Sequence, residues 1–235
     1  MDRSNSNLHS LQAQNPASPP VIDDAALEAA LSADRFGRYL AWAGGDRARA
    51  LDLYALNIRL SEALYPSLQM LEVVLRNRIH AIMSEAIAPD WLLRDDTLLV
   101  PHQAMQIATA VSELGRDTKA PTPSGIVAAL TFSFWTTMLG PSYENLWQTH
   151  LHRIGRRRDG KGLRRKDFSA PLTPIRILRN RIAHHEPVLS WNLPGHHQAM
   201  HRLTGWLSPG AATWCFTFDR FVAVCPSTRI GLLNN

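Results

Sequence analysis

Between Arg179 and Glu186 the chain packs two arginines, an asparagine, two histidines and a glutamate into eight consecutive residues, RNRIAHHE. Those residue types can break a phosphodiester. Imidazole carries protons near neutral pH. Guanidinium grips phosphate bidentately and stabilises charge that develops on it. With a ribose 2′-hydroxyl as nucleophile, such a site needs no metal. On a helix, Asn180 and His184 are four apart and share a face, offset by about 40° at roughly 100° per residue. Arg179 lies further round, with a stem long enough to reach the same place. Arg181 and His185 form a second pair at the same spacing. His184 and His185 would fall in the last helical turn, where the macrodipole favours the imidazolium.

Two other readings of these residues stay open. An exposed helix face that merely meets water has the same composition. A metal site could also draw on His184, His185, Glu186, His196, His197 and His201. Neighbouring histidines diverge by about 100° on a helix, however, and His197/His201 is the only i,i+4 histidine pair in the sequence.

The elements that must position these groups are all predicted to be helices. The pattern is helical from Asp23, breaks near Gly44-Gly45, and resumes with Asp46 as N-cap of a helix carrying Leu51 to Leu64. Pro66 begins or kinks the next helix, whose stripe Leu68, Leu71, Leu75, Ile79 and Ile82 runs towards Pro89. An amphipathic helix is expected over 102–114. Residues 124–147 read as an aromatic, buried helix pair broken at Gly140-Pro141, with Phe132, Phe134, Trp135, Tyr143 and Trp147 as core rather than as base-stacking groups. Thr173-Pro174 reads as a helix start, N-cap then Pro. That helix carries Ile175, Leu178 and Ile182 on its core face and ends near Glu186, before Pro187. Another follows over 196–206, with Met200, Leu203 and Trp206 inward. Residues 211–225 are expected to be helical, although TWCFTF has strand character. No repeat and no alternating strand series is present, so the fold class is all-α, a helical bundle.

Composition bounds the rest. Of 235 residues, 45% are apolar and 19% charged, too apolar for a chain disordered along its length. Two cysteines cannot build a disulfide framework. Residues 153–166, RIGRRRDGKGLRRK, hold eight basic residues and one acid, a surplus of +7 against +5 for the whole chain. The excess charge is therefore local, and a local basic patch is the footprint of a polyanion binder. Arg156, Arg157, Arg158, Lys161, Arg164, Arg165 and Lys166 are its RNA-backbone candidates, although charge runs also serve only to solubilise a loop. The start of the chain has no signal-peptide core, and 126–140 is too short and too polar to span a bilayer. A cytoplasmic protein with no membrane partner and with reduced Cys215 and Cys225 is expected. Residues 1–22 are expected to be a disordered tail, 23–226 a single helical domain, and 227–235 a C-terminal tail.

Arg179-Asn180-x3-His184 has the Arg-polar-x3-His form of the HEPN ribonuclease motif, and LRNRIAHHEP resembles the signature of the Abi-like family, the AbiD/AbiF-type abortive-infection proteins of bacterial phage defence. LSEALYPSLQMLEVVLRNRIH (60–80) resembles that family's N-terminal helix pair, and FSFWTTMLGPSYENLW (132–147) its aromatic middle. WLSPGAATW (206–214) and DRFVAV (219–224) resemble its C-terminal end. The resemblance covers about residues 30–226.

It implies a HEPN-like helical domain and a toxin-like, metal-independent endoribonuclease of antiviral defence. Cleavage would leave 2′,3′-cyclic phosphate and 5′-hydroxyl ends, with no cofactor and no metal. Arg179 and His184 would be catalytic, with Asn180 orienting. His185 and Glu186 match the family string as accessory candidates, as do Glu72, Arg76 and Asn77 in its LE-x3-LRN part. Glu72 and Arg76 also have the spacing of an ordinary i,i+4 ion pair, the reading preferred on spacing. His80 ends a second string, RNRIH, at a spacing that does not duplicate the motif. The implied partners are the RNA substrate, a second copy of the chain forming a composite site, and an RNA or protein antitoxin. The alternatives are a non-catalytic RNA-binding or adaptor module and a metal-dependent hydrolase built on the histidine cluster.

Overall fold

The computed structural model describes residues 24–94, 99–116, 121–228 and 230–233, with the expected N-terminal tail lying outside them. Every regular element among them is helical. The elements are α1 (Asp24–Leu31), α2 (Ala33–Trp42), α3 (Arg47–Ala86), α4 (Pro101–Arg116), α5 (Pro123–Ala129), α6 (Phe132–Thr137), α7 (Glu144–Ile154), α8 (Arg165–Ala183), α9 (Leu193–Leu207), α10 (Pro209–Phe216) and α11 (Phe221–Val224). The all-α expectation holds, and 211–225 holds the end of α10 and all of α11 with a turn between them, and no strand. None of these helices is long and apolar enough to cross a membrane.

The chain divides into two compact units, one up to Tyr54 and one from Ala55 to Leu233. In the first, Phe36, Tyr39 and Trp42 line the buried face of α2, and Tyr39 meets Trp42 and Tyr54 edge-on. The Asp46 carboxylate accepts the Arg49 amide at 3.1 Å, the N-cap that the sequence calls for at the start of α3.

In the second unit Leu60, Leu64, Leu68, Leu71, Leu75, Ile79 and Ile82 are buried along α3. Their steps of four and three residues keep one stripe inward for more than six turns. That stripe explains the first departure from expectation. Pro66 lies inside α3 and neither begins nor ends a helix. An interior proline forfeits one hydrogen bond and costs about 3 kcal/mol. Two buried leucines on each side of it outweigh that, at roughly 1.5–3 kcal/mol per side chain.

α8 departs the same way. It starts at Arg165 rather than at Thr173-Pro174, and Pro171 and Pro174 both lie inside it. Phe168, Leu172, Ile175 and Leu178 form its buried face. The Asp167 carboxylate accepts the Arg164 amide at 2.8 Å, capping α8 nine residues upstream of the Thr173 start that a Thr-Pro rule would find. Thr173, the expected cap, donates its hydroxyl to the Ser169 carbonyl at 3.2 Å instead. Phe132, Phe134, Trp135, Tyr143 and Trp147 are all buried core, as expected.

Candidate functional site

α8 ends at Ala183, three residues before Glu186, in a Schellman turn. The His185 amide donates to Ile182 O at 3.0 Å and the Glu186 amide to Arg181 O at 2.8 Å. The left-handed position, usually glycine, is held by His185 at φ 56°. His184 is therefore the C-cap and is exposed, while His185 lies beyond the helix. His185 therefore does not stand at i,i+4 to Arg181 on a helix face, as the sequence suggests. Arg181 pairs with Glu186 at 3.0 Å and lies over the Trp191 ring.

Arg179 turns towards α3. Its Nε is 3.5 Å from Glu72 Oε2, and its terminal nitrogen 3.5 Å from Asn180 Oδ1. Glu72 thus pairs across the helices and not with Arg76, as its i,i+4 spacing suggests. The reason is packing. Ile175, Leu178, Leu68, Leu71 and Leu75 are all buried, and Glu72 and Arg179 are both part of the rim that this packing leaves. Between them lies a groove of about 430 Å³, walled by Tyr65, Leu68, Gln69, Val73 and Arg76 on α3 and by Ile182 and Ala183 on α8. Arg76 has no ion-pair partner among the described residues, and its buried Nε has no hydrogen-bond partner. The groove therefore presents two guanidiniums against one carboxylate. Asn77 is exposed and does not line it. His184 directly follows Ala183, the last groove-lining residue of α8. His80 is structural, accepting the Trp91 indole N–H on Nδ1 at 3.0 Å.

The basic segment links α7 to α8, as expected of a surface loop. Arg78 donates to the Arg153 and Ile154 carbonyls at 2.6 and 3.1 Å, holding the end of α7 to α3. Gly155 then passes so close to Trp206 that a Cβ there would lie 2.3 Å from its carbonyl oxygen. Arg165 leaves the RNA-binding set. Its side chain is 8% exposed and donates to Glu144 Oε2 at 2.5 Å and to the Leu139 carbonyl at 2.7 Å. A guanidinium engaged inside the unit cannot follow a nucleic-acid backbone. Arg157 forks onto Asp159 at 3.0 and 2.7 Å, and that hydrogen bond holds the Asp159 carboxyl below the usual carboxylate range. Arg164 pairs with Asp167. Arg156, Arg158, Lys161 and Lys166 are exposed, with no ion-pair partner among the described residues. A cleft of about 770 Å³ lies beneath the loop, lined by Arg156, Arg157, Lys161 and Arg164 with Trp147 and Leu151.

One further cluster combines residues that spacing alone does not connect. Asp219 Oδ2 lies 2.8 Å from His197 Nε2, 2.7 Å from His201 Nε2 and 2.5 Å from Ser67 Oγ. Among the described residues it is the group of three ligating side chains that converges. His184, His185, Glu186 and His196 do not join it. The i,i+4 histidine pair was visible in the sequence. Asp219 and Ser67, 18 and 134 residues from His201, were not. Burial pushes the Asp219 carboxyl up, but hydrogen bonds from Ser67, the Phe221 amide and both histidines hold it well below the usual carboxylate range. Burial also lowers His197.

Comparison with family models, with curated proteins and with solved structures returns no match for this chain.

Proposed function

We propose that the chain is a metal-independent endoribonuclease of the HEPN, Abi-like type, acting in bacterial phage defence. The observation that carries this reading is the groove between α3 and α8. It collects Arg179 and Arg76 from two strings that each resemble the family, and the exposed His184 directly follows Ala183, the last of α8's residues to line it. In this reading the two guanidiniums hold the scissile phosphate. His184 takes the 2′-hydroxyl proton or returns one to the leaving 5′-oxygen, and Asn180 orients Arg179. The 2′-oxygen attacks phosphorus as the P–O5′ bond breaks, leaving 2′,3′-cyclic phosphate and 5′-hydroxyl ends. Glu72 holds Arg179 in place before RNA arrives, and a second copy of the chain supplies the facing half of the cleft. The unpaired cations of the α7–α8 loop provide the sequence-independent attraction.

The test is incubation of the purified chain with cellular RNA in EDTA, with mapping of fragment ends. Cyclic-phosphate ends that vanish with His184→Ala are the expected result. Intact RNA recovered in a stable complex with wild type would favour the adaptor reading instead, with the same residues binding phosphate without cutting it.

A further inference from the structure

Four polar atoms from three separate parts of the second unit meet at one point, crowding three donors onto one carboxylate oxygen. Asp219 Oδ2 faces Ser67 Oγ at 2.5 Å, His197 Nε2 at 2.8 Å and His201 Nε2 at 2.7 Å. The two imidazole nitrogens are also only 3.1 Å apart, and Ser67 Oγ is 3.2 Å from His201 Nε2. A neutral imidazole has one N–H. If both Nε2 atoms donate to Asp219, two N–H groups lie side by side against one oxygen. If one does not, its lone pair faces a carboxylate. A cation between them resolves both conflicts, because every group then directs a lone pair inward.

We propose that His197 Nε2, His201 Nε2 and Asp219 Oδ2, with the Ser67 hydroxyl at the fourth vertex, bind one zinc-type divalent ion as a structural clasp. Tetrahedral zinc with bonds of about 2.0–2.1 Å needs ligand atoms about 3.3–3.4 Å apart. The cluster stands at 2.5–3.2 Å, so small side-chain rotations open it to that size. Two imidazoles and one carboxylate suit zinc rather than calcium or magnesium, which take oxygen shells. His197 and His201 sit at i,i+4 on α9, the spacing that points two imidazoles the same way. Their supports are in place. The Phe221 amide donates to Asp219 Oδ1 at 2.9 Å, and the His197 ring stacks on Phe221 at 4.4 Å. Side-chain exposures of 3% for Asp219 and 9% for His197 make a closed site. His201 is 19% exposed and borders a cleft of about 660 Å³, the ion's route in. Once bound, the ion ties the α10–α11 turn to α9 and to the middle of α3.

The proposal stands apart from the nuclease reading, and its test needs no RNA. The full chain is stripped with chelator and titrated with zinc or cobalt(II). One ion per chain by elemental analysis, a tetrahedral cobalt spectrum, and a Tm raised by about 5–10 °C at a hundredfold excess over Kd are expected. Asp219→Asn and His201→Gln each lower affinity more than about 100-fold, beyond what loss of a supporting residue does, whereas His102→Gln leaves it unchanged. No stoichiometric uptake by the folded wild type, or equal uptake by folded Asp219→Asn, overturns the site. Should both variants fail to fold, the wild type alone decides. Zinc must shift the Nε2 nitrogen resonances of two imidazoles, His197 and His201, and shifts at other histidines instead overturn the assignment.

Discussion

Arg179 and Glu72 show how a catalytic candidate is held ready at low cost. Their contact of 3.5 Å joins two half-exposed side chains, 38% and 18% accessible. Such a pair contributes about 0–1 kcal/mol, little enough for a phosphate to displace. Arg179→Lys keeps the charge and loses the planar fork, so cleavage should fall while Tm stays within about 2 °C. His184→Ala should cost about 10²–10⁴ in rate with the same indifference of Tm, because the side chain is exposed. Rate and melting curves measured together check both. His80 carries a different prediction. Its Nδ1 accepts the Trp91 indole N–H, and burial lowers its pKa from the ordinary 6.5. As pH falls below that value the unfolded chain takes up a proton that the folded one refuses, so this part of the stability is present above about pH 6.5 and lost below it. Urea midpoints measured from pH 7.5 to 5 should decline, and His80→Gln, which can still accept from Trp91, should decline less.

At the scale of elements, the junction of α7, the basic loop and α8 separates residues that look equivalent on paper. Arg158 is exposed, whereas Arg165 bonds inside the unit to Glu144 and the Leu139 carbonyl. Arg165→Ala is expected to lower stability by about 1–3 kcal/mol, because it strands the buried Leu139 carbonyl. Arg158→Ala should leave stability within about 0.5 kcal/mol and weaken RNA binding. Chemical denaturation beside an RNA titration distinguishes them. Gly155 has an extended backbone that any residue can adopt, but the Trp206 carbonyl leaves no room for a Cβ. Gly155→Ala must therefore push the start of the loop away from α9. It should break the Arg156 amide bond to Trp206 O, now 2.9 Å, and lower Tm by several degrees, even though nothing in the glycine's φ requires it to be glycine.

Across the whole molecule, the charge that can meet a polyanion is smaller than the run 153–166 suggests. Eight basic residues lie there, but only Arg156, Arg158, Lys161 and Lys166 are exposed without an ion-pair partner among the described residues. Four phosphate contacts on single-stranded RNA give a slope near −2.8 in log affinity against log salt, so binding should weaken about 50-fold between 50 and 200 mM. Six contacts would exceed 300-fold, and a salt titration of RNA affinity tells the two apart.

How much of this was legible beforehand depends on the range of the interaction concerned. The α3 stripe, the Asp46 cap, the aromatic core of 132–147 and the helical character throughout follow from neighbours a few residues apart, and local pattern is enough to specify them. Pro66 and Pro174 misled, because proline's penalty is local while the leucine, isoleucine and phenylalanine burial that overrides it is tertiary. The RNRIAHHE string was evident from residue types alone. That Glu72 would reach Arg179, that the Arg76 Nε would be buried without a hydrogen-bond partner among the described residues, that Arg165 would turn inward, and that Asp219 and Ser67 would close on two histidines of α9 were decided only when helices far apart in the chain packed. Each depends on which side chains face the same gap, and that is set by how helices pack against one another, which residue spacing within one helix does not encode.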